Sequence, residues 1–203
     1  MTWEAREEIL ARVRRAQLVA DVEAPKPDPG EYARALPAGT DLVALFTERA
    51  AAAGAAVRHV SALEDLPRAV AAALWARHAH RVVVPPGLPW SWLADLDGVR
   101  VVRDEPAMPP ADLDEAGGVV TGCAVAVAAS GTVVLDGGPA QGRRALLLTG
   151  HHVCVVRARQ IVGTVPEAVA RLDPRQPTTW LTGPLEPPAG ETPPVLDLVV
   201  VDA

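Results

Sequence analysis

Short Val-rich stretches alternate with helical patterns along most of this chain. Apolar residues recur at helical spacing in three segments of the first half, and strand-like stretches separate or follow them. The predicted helices cover residues 3–19, 40–54 and 63–78, and the predicted strands cover residues 55–60, 81–86 and 99–104. Such alternation is typical of β-α-β units, which join parallel strands. The sequence therefore predicts an α/β fold with a mainly parallel sheet.

The longest run without a charged side chain, residues 116–135, predicts the core of that sheet. It is long enough for a membrane helix, which needs roughly 20 apolar residues, but its glycines, threonines and valines suit strands better. A continuous apolar run bounded by turn signals indicates strands that are buried on both faces. We therefore predict strands over residues 119–128 and 132–135, joined at Ser130 and Gly131, and no membrane insertion.

The last third of the chain adds further apolar segments and one more helix. Strands are predicted within residues 145–156, 178–183 and 196–203, and a helix is predicted from Pro166 to Leu172. Asp136-Gly137-Gly138 follows a predicted strand with no helix behind it, so it fits a loop better than a phosphate-binding turn. The sequence contains neither a P-loop nor a dinucleotide-binding glycine fingerprint.

One domain accounts for the chain, with residues 1–39 as an N-terminal extension. The extension combines the first helix with a proline-rich connector over residues 21–39, and no linker divides the rest of the 203-residue chain. The first residues carry both signs of charge and lack the apolar segment of a secretory signal. We therefore expect a cytoplasmic protein.

Charge and cysteine content argue against several classes of function. The net charge of −6 disfavours a nucleic-acid partner, because neutralising phosphates requires clustered Lys and Arg. The chain contains 2 cysteines, Cys123 and Cys154, both in predicted buried strands, whereas an iron–sulfur cluster normally requires four thiolates. His151 and His152 should point to opposite faces of their strand, so they cannot chelate one metal ion together. We predict that this chain itself binds no metal and no cofactor.

Four segments, taken in order, resemble the lactate-utilisation (LUD) domain family, in particular its small-subunit group. The segments are VVTGCAVAVAASGTVVL, GRRALLLTGHHVCVV, RQIVGTVPEAVARL and TTWLTGP, and the resemblance is close over residues 115–185. The positions that match the family's motif residues are Thr121 and Gly122, the turn Ser130, Gly131 and Thr132, Arg143 or Arg144, His152, and Thr182, Gly183 and Pro184. The set of segments, rather than any one motif, carries the resemblance.

The resemblance implies both a fold and a function. The implied fold is the three-layer α/β type, similar to that of CoA transferases, ribose-phosphate isomerase and glucosamine-phosphate deaminase. The implied function is that of an accessory subunit in the oxidation of L-lactate to pyruvate. In that role the chain would act with partner subunits that carry iron–sulfur clusters.

The matched positions also imply a site for a small carboxylate ligand. In open α/β sheets, ligands bind outside the carboxyl ends of the strands, where backbone N–H groups and an arginine suit a carboxylate or a phosphate. The expected substrate-binding residues are Thr121, Gly122, Ser130, Gly131, Thr132, Arg143, Arg144 and His152. Gly131→Val is expected to abolish binding even in a protein that still folds, because a side chain would either obstruct the backbone's approach to a ligand or strain a turn that needs a positive φ.

Two departures from the family pattern leave open whether this chain is catalytic. Ala129 stands where the family's turn has a glutamate, and the segment after Pro184 is proline-rich and lacks the family's Ser-x-Thr-x-Asp-Ile-Glu sequence. Two alternatives therefore stand beside the accessory subunit. One is an independent enzyme of the CoA-transferase or sugar-phosphate type that acts on a small anionic metabolite. The other is a non-catalytic interaction protein with Trp90 and Trp92 as an exposed anchor.

Overall fold

The chain divides into two compact units, Met1–Tyr32 and Ala33–Ala203. The computed structural model describes residues 7–12, 14–15, 35–105, 116–142, 150–183 and 195–202. In the first unit, residues 7–12 and 14–15 are helical, as predicted, and the exposed side chains of Glu8 and Arg12 form an ion pair at 3.5 Å. The remainder of the predicted helix and most of the connector lie outside the described residues.

The second unit contains three α-helices and ten strands within the described ranges. In chain order they are α1 (Leu42–Ala52), β1 (Ala56–Val60), α2 (Leu66–Trp75), β2 (Arg81–Val84), β3 (Arg100–Arg103), β4 (Val119–Thr121), β5 (Val125–Val127), β6 (Thr132–Leu135), β7 (His151–Arg157), β8 (Ile161–Val162), α3 (Val165–Arg171), β9 (Thr179–Leu181) and β10 (Val195–Val201). Single 3-10 turns cover Leu63–Asp65, Trp90–Leu93 and Ala158–Gln160.

Six strands form one sheet in the order β1-β10-β7-β4-β2-β3. Every neighbouring pair in this sheet is parallel, which confirms the predicted α/β architecture. The two longest strands, β7 and β10, lie side by side in the interior of the sheet, and their residues are almost entirely buried. Near-continuous apolar sequence is what strands covered on both faces require.

The predicted strand over residues 119–128 is wrong, because the chain changes sheets within it. The strand β4 ends at Thr121 in the parallel sheet, and β5 begins at Val125 in a second sheet of order β8-β5-β6-β9. At the break, the Gly122 N–H donates to the Ala140 carbonyl at 2.8 Å, and the Ala124 N–H donates to the Val134 carbonyl at 2.9 Å. A loop partner for Gly122 and a partner in the second sheet for Ala124 therefore divide one apolar run into two strands.

The run over residues 116–135 nevertheless contains buried strands, as predicted. The strands β4, β5 and β6 are buried at every position. Within the residues that the structure describes, no helix combines the length and the apolar composition needed to cross a bilayer.

The two sheets pack face to face, and helices cover their other faces. The cluster between the sheets joins side chains of β7 and β10 to those of β5, β6 and α1. On the opposite face of the parallel sheet, α2 and the Trp90–Leu93 turn pack on a second apolar cluster. The short helix α3 covers the outer face of the second sheet through Ala168. The predicted burial of Cys123 and Cys154 is confirmed, and both lie in the cluster between the sheets.

Helix boundaries differ from the sequence prediction by a few residues. The predicted helix over residues 63–78 begins as a 3-10 turn, becomes α-helical only at Leu66 and ends at Trp75. The helix α1 begins where predicted, because the Asp41 carboxylate accepts from the Ala44 N–H at 3.0 Å. His78 has a φ of +54°, which is incompatible with continuing a helix and explains the early end of α2.

A buried charge cluster holds three parallel strands in register. Asp197 of β10 accepts from the His151 imidazole of β7 at 2.8 Å and also bonds the Arg58 guanidinium of β1. Asp197 is 2% exposed, so its ionised form requires these donors. Burial acts to raise the pKa of Asp197, but the bonds from His151 and Arg58 outweigh burial, and the pKa lies below its usual value.

We expect Asp197→Ala to lower the free energy of unfolding by about 3 to 5 kcal/mol, because it leaves the Arg58 charge without its carboxylate. The matched control is Asp202→Ala, which removes an exposed carboxylate 2.7 Å from His59 and should cost about 1 kcal/mol or less. Asp197 titrates near pH 3.9 when unfolded and lower when folded, so its contribution is full above that range. Urea unfolding at pH 7 and pH 3 should show the difference from wild type shrinking at the lower pH. Equal effects of the two substitutions at pH 7 would contradict the assignment.

Candidate functional site

The strand order of the parallel sheet reverses between β2 and β4. From β2 the chain adds β3 on one side, and from β4 onward it adds β7 and β10 on the other side. In open α/β sheets, ligands bind outside the carboxyl ends of the strands at such a reversal. A ligand site is therefore expected at the carboxyl ends of β2 and β4.

A loop over residues 136–142 is bonded to both strand ends at this position. The Ala140 N–H donates to the Pro86 carbonyl after β2 at 3.0 Å, and the Ala140 carbonyl accepts from Gly122 after β4. Ala140 has a φ of +65°, a conformation that a non-glycine residue adopts only when its surroundings enforce it. The loop thus covers the crevice between β2 and β4.

The loop is also held together by its own polar side chains. The Asp136 N–H donates to the Gln141 side-chain carbonyl at 2.7 Å, and the Gly138 N–H donates to the Asp136 carboxylate at 3.0 Å. Gln141 is buried. The predicted loop at Asp136-Gly137-Gly138 is therefore confirmed as a loop that ends β6, with side chains that fix its shape.

A cavity of about 990 Å³ lies beside this loop. Its walls come from the segments after β2 and β3, the end of β6 with the loop over residues 136–142, and β9 with the segment that leads into it. The charged side chains among its described lining residues are Asp104 and Asp136. Asp104 is 6% exposed, and its N–H donates to the Val84 carbonyl at 2.8 Å. The described part of the cavity therefore offers carboxylates beside an apolar wall that includes Pro86 and Trp180.

Two of the predicted site residues, Thr121 and His152, bond one another inside the core. The Thr121 hydroxyl and His152 Nε2 are 2.7 Å apart, and both residues are buried. Burial, with a smaller contribution from the charge of His151, lowers the pKa of His152 to about 3. His152 is therefore a neutral imidazole at physiological pH. His151 bonds Asp197, and alternation along β7 places the two imidazoles on opposite faces, as predicted.

The predicted turn residues Ser130, Gly131 and Thr132 pack on a helix. The hydroxyls of Ser130 and Thr132 are 2.7 Å apart, and those of Thr132 and Thr182 are 2.6 Å apart. A Cβ atom on Gly131 would lie 2.3 Å from the Ala50 nitrogen of α1, and Gly131 has a φ of +66°. The absence of a side chain therefore allows the turn to contact the helix backbone. The positive φ predicted as one of two reasons for glycine here is confirmed, and the approach of a ligand stays a prediction. The turn is not among the described residues that line the cavity.

The remaining predicted residues fall at the strand end or outside the described ranges. Gly122 follows β4, and a Cβ atom there would lie 3.6 Å from the buried Trp92 ring. Arg143, Arg144 and Pro184 lie outside the described residues. Hydrogen bonds thus join the described site residues into two groups, Thr121 with His152 and Ser130 with Thr132. No cluster of three or more potential metal ligands occurs among the described residues.

Asp104 was not predicted from the sequence as a residue of the cavity. Its signal was available, because this carboxylate is the last residue of the predicted strand over residues 99–104, at the edge where ligands bind. The two tryptophans of the Trp90–Leu93 turn differ in exposure. Trp90 is 52% exposed and lies under the Arg103 guanidinium at 4.8 Å, whereas Trp92 is buried. Only one of the two tryptophans is therefore exposed.

Comparison with known proteins places these features in a family. The sequence profile of the LUD domain matches residues 111–184. The chain is 45% identical over 189 residues to Lactate utilization protein C from Deinococcus radiodurans, an alignment that covers 90% of this chain and 84% of that protein. The chain belongs to the LUD domain family. The fold of this LUD domain protein also matches the crystal structure of a DUF162 family protein from Deinococcus radiodurans, with a TM-score of 0.68 and 44% identity over 79% of this chain and 96% of the other.

We expect Gly131→Ala to destabilise this LUD domain protein by several kcal/mol, because the new Cβ overlaps the backbone of α1. The matched control is Gly137→Ala. Gly137 has a similar φ of +75° but open space around the Cβ position, so it carries only the conformational strain of about 1 kcal/mol. Thermal and urea unfolding of both variants measure the difference. A Gly131 variant as stable as the Gly137 variant would show that the turn does not depend on its contact with α1.

Proposed function

We propose that this LUD domain protein is an accessory subunit in the utilisation of L-lactate, acting in its oxidation to pyruvate with iron–sulfur partner subunits. The observation that carries the proposal is its 45% identity, over nine-tenths of its length, to a protein named for lactate utilisation. This alignment of 189 residues extends beyond residues 111–184, the segment that the domain profile matches. The proposal therefore concerns a shared role as well as a shared fold.

The residues of this chain do not fit an iron–sulfur cluster. Its 2 cysteines are both buried between the sheets, whereas such a cluster normally takes four thiolates. We therefore assign the clusters to the partner subunits. In this proposal the LUD domain protein binds the small carboxylate and positions it, and the partners carry the electrons.

The cavity is the proposed place of the carboxylate, and an arginine must supply its counter-charge. Asp104 and Asp136 would repel a carboxylate that had no cation beside it. Arg143 and Arg144 follow directly in sequence after Gly142, which lines the cavity. A guanidinium from one of them would bind the ligand carboxylate in a bidentate manner. The hydroxyl of lactate could then donate to one of the aspartates.

A second candidate function is that of an independent enzyme acting on a small anionic metabolite in the same cavity. The observation that favours it is the buried Asp104 carboxylate at the carboxyl edge of the sheet. Proton transfer needs a carboxylate or another base at the reacting group, and Ala129 has replaced the one expected in the turn. Asp104 would supply the base from a different strand.

Loss of the gene should abolish growth of the source organism on L-lactate as sole carbon source while growth on pyruvate continues, because only the oxidation step is lost. A plasmid copy of the gene should restore growth. Affinity purification of the tagged full chain from lactate-grown cells should recover iron and acid-labile sulfide in stoichiometric amounts, and the chain purified alone should contain neither. Unchanged growth on L-lactate would overturn the role in lactate utilisation. If growth on L-lactate is lost but the purified assembly contains no iron, only the proposal of iron–sulfur partners would be overturned.

Calorimetry with L-lactate and pyruvate should distinguish the two candidate functions. Arg143→Ala or Arg144→Ala should weaken binding by about tenfold to a hundredfold, the loss of one charge-assisted contact of roughly 1.5 to 3 kcal/mol. The control Arg77→Ala removes an exposed guanidinium after α2 and should leave binding unchanged. Asp104→Asn should retain binding in an accessory subunit, whereas it should abolish turnover in an independent enzyme. Binding that neither arginine substitution weakens would show that the carboxylate binds elsewhere.

A further inference from the structure

Two buried thiols meet where the chain leaves the parallel sheet. Cys154 lies on β7 directly opposite Thr121 of β4, and Cys123 follows two residues later in the break before β5. Both belong to the apolar cluster between the sheets. The Cys154 thiol approaches the Gly122 carbonyl at 3.6 Å, which is the peptide directly before Cys123. Hydrogen bonding to Cys154 is also the largest cause that raises the pKa of the Cys123 thiol, which requires the two sulfurs to lie close together.

We propose that Cys123 and Cys154 form an oxidation site, at which a peroxide converts the two thiols into an intramolecular disulfide. One sulfur, as thiolate, attacks a peroxide oxygen, the O–O bond breaks, and a sulfenic acid and the first water result. The second sulfur then attacks the sulfenic sulfur, the S–O bond breaks and a second water leaves. The two thiols lose two electrons and two protons, and hydrogen peroxide takes up both to give two waters.

The position of Cys123 in the break allows the sulfurs to approach one another. A disulfide requires an S–S distance of about 2.05 Å, so the two unbonded sulfurs must move closer together before they can link. Cys154 cannot move far, because β7 is paired on both sides along the sheet. Cys123 lies outside the ladders, next to Gly122, and its chain neighbours belong to no strand. The loop over residues 122–124 therefore makes the adjustment.

The surroundings of Cys123 make the reaction slow at neutral pH. The bond to Cys154, then burial, and then the charges of Cys154 and Asp136 raise the pKa of Cys123 well above its usual value. His152 lies on the same face of β7 as Cys154 but is neutral, so it does not stabilise a thiolate. Because the thiolate is the reacting form, its fraction rises about tenfold per pH unit below the pKa. The site should respond to sustained oxidant rather than to a brief pulse.

The disulfide would tie the break between the sheets to an interior strand. The closed loop over residues 123–154 contains β5, β6 and the loop over residues 136–142 that lines the cavity. Cross-linking a loop of this length restricts the unfolded chain and raises the thermal midpoint. The oxidised form is therefore the more stable one, and a thiol reductant returns the original state.

The test treats the purified full chain with excess hydrogen peroxide at pH 7, 8 and 9. We expect a mass loss of two hydrogens, a fall from 2 titratable thiols to none after denaturation, and a Cys123–Cys154 linked peptide in a non-reducing digest. The oxidation rate should rise about tenfold per pH unit. The thermal midpoint should rise by about 5 to 15 °C and return with dithiothreitol.

Cys123→Ala and Cys154→Ala are the matched controls, since each retains one buried thiol. Neither should form an intramolecular link or gain thermal stability on oxidation. Two thiols that remain free after prolonged oxidation at pH 9 would overturn the proposal. So would oxygen adducts without a link, linked dimers of two chains, or a disulfide that forms only at urea concentrations that unfold the protein.

Discussion

The packing of two sheets against one another determines most of this structure. Burial of apolar side chains is the main favourable term in folding, and here it joins Val156 of the parallel sheet to Val133 of the second sheet. The chain first passes from the parallel sheet to the second sheet at residues 122–124, which leave one ladder and lead into the other. The loop after β6, the turn at Ser130 and the cavity all take their places from that crossing.

Sequence patterns predicted the parallel sheet but not the crossing. Val-rich stretches between helical segments distinguish a parallel sheet from other folds, because strands covered on both faces are mainly apolar. The same uniformity conceals the break at Gly122, since apolar strands in either sheet have the same pattern. The early end of α2 was hidden as well, because Ala and His after Trp75 do not mark a boundary. Local composition thus predicts the kind of element, and backbone partners decide its ends.

The motif residues lie within the segment that the family profile matches, and the structure adds contacts that their sequence did not predict. Gly131 and Gly183 would each place a Cβ atom within 2.3 Å of the backbone at the end of α1. A short motif shows which residues correspond between relatives, and it does not show whether a glycine faces a ligand or a helix. Asp104, by contrast, belongs to no motif. It reaches the cavity because β3 ends there, which only the strand order reveals.

The strand order also constrains how the chain reaches its folded state. Among the described strands, β1 pairs only with β10, which is the last strand in sequence. The strand β1 therefore has no place in the sheet until β10 has been synthesised and inserted between β1 and β7. Closing so long a loop is entropically costly, and folds rich in distant contacts form slowly. The parallel sheet therefore cannot be completed when the first helices emerge from the ribosome, because its completion depends on the synthesis of β10.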